Sequence, residues 1–175
     1  MNASDAAIPV FRDCATAVLK FFVPGRVTPK GSLAIGKTKQ GNLFLRSSTK
    51  GRDAKAWQHT VSTGALFAMR QRNQLLLEGA LFGVFTFVRP RPKQHFGAHG
   101  VKDSFKKTLP ETRPDADKLC RAIGDALTNV VYRDDSQLTT VILRKRWATI
   151  EGVHVAIWYD HSDGDIDVPD DASRG

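Results

Sequence analysis

Arg113–Gln137, RPDADKLCRAIGDALTNVVYRDDSQ, is the stretch on which the reading of this chain turns. Leu119, Ala122, Ile123, Ala126 and Leu127 recur at helical spacing, so a helix is expected from near Asp115 to near Thr128. Its apolar stripe can be buried. Asp117, Arg121 and Asp125 fall at i, i+4 and i+8 on the opposite stripe and face outward. Asp115 sits where the chain turns into the helix. Asp134–Asp135 follow Tyr132–Arg133 in a turn, just ahead of Leu138–Trp147, which reads as a strong strand. A fold that packs this helix and strand together can bring Asp135 near Asp115 and Asp117.

Outward from that stretch, Leu19–Val23 and Asn42–Arg46 read as strands on either side of a mostly polar run, Arg26–Gln40. Asp53 can cap a helix to about Arg72, with Trp57, Val61, Ala65, Ala68 and Met69 in phase and Gly64 as a weak point. Ala80–Val88 is strand-like. Arg89–Pro114, rich in Pro, Gly, Lys and His, reads as a long functional or mobile loop. Val153, Val155, Ile157 and Tyr159 alternate onto one face, and Val153–Tyr159 is expected to form a hairpin with Leu138–Trp147. These elements predict an α+β domain over residues 17–159, a central, mostly antiparallel mixed sheet with two main helices. Residues 1–16 read as a flexible segment, and 160–175 as an acidic disordered tail.

The chain has 175 residues, 41% hydrophobic and 25% charged, which excludes wholesale disorder, collagen and coiled coil. Its apolar runs, Ala65–Met69 and Val155–Tyr159, are far shorter than the roughly 20 residues of a membrane helix. The first residues carry neither the basic lead nor the apolar core of a secretory signal, so a cytoplasmic protein is expected. Cys14 and Cys120 are far apart and make no CxxC pair. His95 and His99 lie among Gly and Pro and are expected on the loop surface. Neither a zinc site nor a small-molecule cofactor is expected.

Charge is unevenly placed. The net charge is +8, yet residues from Asp160 onward hold six Asp and one Arg, a charge of −5, which leaves +13 on residues 1–159. So basic a body attracts polyanions, nucleic acid first among them. Phosphate-binding surfaces avoid carboxylates, so acids kept within one point to a cation between acid and phosphate. Converging carboxylates offer the oxygen ligands that Mg²⁺ or Mn²⁺ takes. Such an ion can generate hydroxide, and Arg121 could neutralise charge on a phosphoryl group. Each acid also has a plain structural reading. Asp115 can be an N-cap, Asp117 can favour the helix dipole, Arg121 can pair with Asp117 and Asp125, and Asp134–Asp135 can be only a turn.

The motif Pro114-Asp115-x-Asp117, then Asp125-Ala126-Leu127, then Asp134-Asp135-Ser136-Gln137, resembles the signature of RusA-type Holliday junction resolvases. Lys145, eight residues beyond Gln137, and Thr28-Pro29-Lys30 resemble further family elements. Arg89–Phe96 looks like a loop of phage and actinobacterial members. The resemblance spans roughly residues 18–159. It implies a small homodimeric endonuclease that binds four-way DNA junctions and cuts two opposed strands with Mg²⁺, or Mn²⁺ as substitute. The residues matching the catalytic, metal-binding acids are Asp115, Asp117 and Asp135. Arg121 stands where the family has a lysine; it can stabilise a phosphorane but is a poor proton shuttle. Lys118 replaces the usual Asn and sets a second cation beside the acids. Lys30, Arg91, Lys93, Lys118, Arg144 and Lys145 are the candidate DNA contacts. Three rivals stay open: a non-catalytic binder of branched DNA, a broader nuclease on forks and flaps, and an assembly factor whose acids only cap helices.

Overall fold

The computed structural model describes residues 17–29, 33–40, 42–47 and 51–161. The expected N-terminal segment 1–16, Lys30 and the tail 162–175 lie outside the described residues. The elements run β1 (Leu19–Pro24), β2 (Leu33–Lys37), β3 (Leu43–Ser47), α1 (Gly51–Gln71), β4 (Leu81–Arg89), β5 (Phe96–Gly97), β6 (Gly100–Val101), α2 (Asp103–Lys106), α3 (Ala116–Leu127), β7 (Leu138–Trp147) and β8 (Gly152–Tyr159).

Strands β1, β8, β4 and β7 form one sheet in that spatial order. β8 runs antiparallel to both β1 and β4, whereas β7 is parallel to β4. The domain is therefore α+β with a mixed sheet, as expected. A third, short helix (α2) joins the two main ones, α1 and α3. β2 arises inside the run read as polar and pairs with β3 in a separate ribbon.

The expected hairpin between Leu138–Trp147 and Val153–Tyr159 does not form, because β4 lies between β7 and β8. Parallel neighbours need a crossover, and α3 supplies it between β4 and β7. β8 then takes the other side of β4. Residues 148–151 cross the end of β4, where Ala148 N–H donates to Arg89 O at 2.9 Å. At the far side of that crossing, a Cβ on Gly152 would overlap Val23 O and the Phe22 ring.

Alternation sorts the sheet into two faces. Leu19 and Val23 of β1, Val153, Val155 and Ile157 of β8, and Leu81, Phe85 and Phe87 of β4 share a core with Val61 and Met69 of α1 and with Leu119, Ile123 and Leu127 of α3. Fully burying one such side chain contributes about 1.5–3 kcal/mol. Tertiary packing rather than helix propensity therefore holds a helix as short as α3. Gly64, a weak point by propensity, has a packing reason: a Cβ there would lie 2.9 Å from Val23 Cγ2. The Ser62 hydroxyl donates to Ala126 O (2.6 Å) and joins α1 to α3. On the other face, Phe82, Ala156 and Trp158 gather with Ala17.

Residues 89–114, expected as a loop, carry structure. A 3-10 turn (Lys93–His95) leads into the two-residue ladder of β5 and β6, then α2. His95, expected at the surface, is 8% exposed. It stacks on Phe105 (4.1 Å between centroids, 6° between planes) and meets Trp147 edge-on at 5.5 Å. No helix among the described residues is long and apolar enough to cross a membrane.

Candidate active site

Asp115 is the N-cap of α3, with extended backbone, and its carbonyl accepts Leu119 N–H at 3.2 Å. Its carboxylate makes no capping hydrogen bond. Lys118 Nζ donates to Oδ2 at 2.8 Å instead. This hydrogen bond and the Lys118 charge, with smaller help from Arg113 and Lys145, hold the Asp115 carboxyl below its ordinary value. Lys145 lies opposite Phe87 on the core-facing register of β7. Its Nζ donates to Thr112 O (2.9 Å) and Pro114 O (3.4 Å), tying the entry of α3 to the sheet. Arg89 Nη1 adds a bond to Arg113 O at 2.8 Å.

Asp117 is exposed in the first turn of α3, and Arg121 is exposed one turn on. They form no ion pair with each other among the described residues. Cys120 lies between them, half-buried. Burial first, then the Asp117 and Asp135 charges, push its thiol up. Asp125 belongs to the α1 contact, where its Oδ2 accepts from Gln58 Nε2 at 3.3 Å.

Asp135 rides on a 3-10 turn, Asp135–Gln137. The Asp134 side chain caps this turn, accepting Ser136 N–H at 2.9 Å, and hydrogen bonding by Ser136, from its side chain first and then its N–H, lowers the Asp134 pKa. Gln137 closes the box from the other end. The Asp135 carboxylate rests over Gly124 of α3. Tyr132, fully buried, donates from its hydroxyl to Gly124 O at 3.2 Å. Burial, and next the Asp135 charge, hold that phenol far above its ordinary range.

Asp117 and Gly124 fall at i and i+7 on one stripe of α3, and Asp135 rests over Gly124, so the two acids share one flank of the helix, while Asp115 turns to Lys118. No three His, Cys, Asp or Glu side chains are gathered to chelate an ion among the described residues. The donors are all carboxylates, which fits a hard divalent cation in chemistry. Lys118 engages Asp115 Oδ2, one of the two oxygens that Asp115 could offer to a shared ion.

The candidate DNA contacts separate. Lys93 is exposed. Lys118 and Lys145 are engaged as described. Arg144 lies opposite Thr86 on the reverse face of the sheet from Lys145. Arg91 is built into the 89–114 segment: Nη1 donates to Phe105 O (2.7 Å), Nη2 to Lys106 O (3.3 Å), and the guanidinium lies 5.6 Å from the Trp147 ring centroid. Lys30 is outside the described residues. Gly124, Tyr132 and the clasp made by Gln137 escaped the reading of the sequence. The local signals for them were a lone glycine inside an alanine- and leucine-rich helix and the capping-box spacing Asp134-x-x-Gln137.

Residues 24–158 match the family described as endodeoxyribonuclease RusA. An uncharacterized Bacillus subtilis (strain 168) protein, YqaN, is 28% identical over 141 residues, covering 79% of this chain and 94% of that protein. The family match takes in α3, the Asp135 turn and most of the sheet that carries them, and the chain belongs to the RusA endodeoxyribonuclease family.

Proposed function

We propose that this chain is a divalent-metal-dependent endonuclease that resolves four-way DNA junctions by paired symmetrical cuts, acting as a homodimer in the cytoplasm. One observation carries the reading: Asp135 rests over Gly124, two turns along the same stripe of α3 from Asp117, in a body whose residues 1–159 carry +13. Asp115, Asp117 and Asp135 would hold Mg²⁺ or Mn²⁺. When bound, the ion supplies Lewis acidity and lowers the pKa of an attacking water. Arg121, one turn from Asp117, would hold the charge that builds on the phosphoryl oxygens, binding them rather than shuttling protons. Basic groups such as Lys30 and the exposed Lys93 would position phosphates, with affinity falling steeply as salt rises. A two-fold homodimer would place two such sites symmetrically on a two-fold junction.

The test is cleavage of a synthetic four-way junction, with a fork and a linear duplex beside it. Wild-type protein with Mg²⁺ is expected to give paired nicks in the junction. Asp117→Asn is expected to bind the junction and leave it uncut; cutting at the wild-type rate overturns the mechanism. A second reading, junction binding without cleavage, draws on one observation: Lys118 already occupies Asp115. It predicts no nicks at any Mg²⁺ or Mn²⁺ concentration. Equal cleavage of the fork would instead indicate a broader nuclease.

A further inference from the structure

We infer that Gln137 is the positioning residue for Asp135. The inference rests on the proposed function for why Asp135 matters, while the geometry stands apart from it. A single amide makes four hydrogen bonds. Gln137 Oε1 accepts from Arg133 N–H (2.9 Å) and Asp134 N–H (3.3 Å). Gln137 Nε2 donates to Leu77 O and Gly79 O, both at 3.1 Å. The side chain therefore clasps the backbone just before Asp135 to the connection between α1 and β4.

That connection is itself anchored. Leu77 is buried, and its N–H donates to Val131 O at 2.7 Å. The Asp135 carboxylate, in contrast, has no hydrogen bond among the described residues. Nothing at the carboxylate fixes its place over Gly124; the backbone that carries it does, and Gln137 fixes that backbone. The role needs both ends of the amide, an acceptor for two N–H groups and a donor for two carbonyls. A glutamate would set a carboxylate against Leu77 O and Gly79 O. A methionine keeps the volume and loses the clasp.

Cys120 reports where Asp135 sits without metal or DNA. In the full chain carrying Cys14→Ser, the alkylation rate of Cys120 is measured against pH, well below the unfolding temperature. Asp135→Asn is expected to move the midpoint to lower pH, since it removes a charge that opposes the thiolate. Gln137→Ala and Gln137→Met are expected to reproduce at least half of that shift. Asp134→Ala, which leaves the Gln137 clasp intact, is expected to keep the wild-type profile. Mn²⁺ titration followed by electron paramagnetic resonance is expected to show at least tenfold weaker binding in both Gln137 variants. A Gln137 variant that unfolds at lower temperature yet keeps the wild-type alkylation profile overturns the positioning role. So does an unshifted Asp135→Asn profile. Failure of the wild-type protein to bind Mn²⁺ or to cut would count against the nuclease reading alone, because the alkylation profile is read without either.

Discussion

Asp135 rests on the bare backbone of Gly124: a Cβ built there would stand 3.5 Å from Asp135 Oδ2 and 3.6 Å from its Cβ. Those are ordinary contact distances, so a methyl group fits and anything longer does not. Gly124→Ala is expected to stabilise α3 by up to about 1 kcal/mol and to leave junction cleavage near wild type. Gly124→Leu is expected to wedge Asp135 away and to cut cleavage by at least tenfold. Thermal unfolding beside a junction-cleavage assay checks both.

Lys118 competes with any cation for the Asp115 carboxylate. Lys118→Asn removes the 2.8 Å ion pair and keeps a polar group at the start of α3. Mn²⁺ is expected to bind several-fold more tightly to this variant in calorimetry. Unchanged or weaker binding would mean that Lys118 does not compete with the ion for Asp115.

Arg91 holds the 89–114 segment through its forked donors to the end of α2. Hydrogen bonds from a charged group contribute about 1.5–3 kcal/mol, so Arg91→Ala is expected to destabilise by that order. Arg91→Lys is not expected to restore it, since an ammonium offers neither the fork nor the planar face toward Trp147. Faster proteolytic nicking within 89–114 in both variants, at a temperature where β-sheet circular dichroism is unchanged, is the readout.

His154 ties stability to pH. Its ring packs against Phe22 at 4.4 Å, and burial first, then the Lys20 charge, lower its pKa. The folded state therefore binds the proton less readily than the unfolded chain, whose histidine titrates near its ordinary value of about 6.5. The stabilisation is present above that value and lost as pH falls through the lower, folded one. The unfolding temperature is expected to drop between about pH 7.5 and pH 5, and His154→Phe is expected to remove part of that drop.

Periodicity was enough for the strands at Leu19–Pro24, Leu43–Ser47, Leu81–Arg89, Leu138–Trp147 and Gly152–Tyr159, and for α1 and α3. Apart from Leu43–Ser47, each buries a stripe or face whose spacing is written locally. The partner of β8 was not legible in the same way. Alternation shows which face of a strand is apolar and is silent on which strand lies beside it, so nearness in sequence pointed to β7 where β4 in fact intervenes. The 89–114 segment was misread for a related reason. His95, Phe105 and Trp147 make a core only once the end of β7 is brought beside them.

The acids at 115, 117 and 135, the arginine at 121 and the basic body around them were determined by the sequence alone, because residue type and charge need no folding to be read. Tertiary structure alone decided how they are shared out. Strand alternation sends Arg144 and Lys145 to opposite faces, a lysine one turn along α3 turns Asp115 aside, and a glutamine bridging two distant backbone segments sets Asp135 over a glycine. Those outcomes depend on contacts across as many as 60 residues of chain, such as Gln137 to Leu77, which no local pattern encodes.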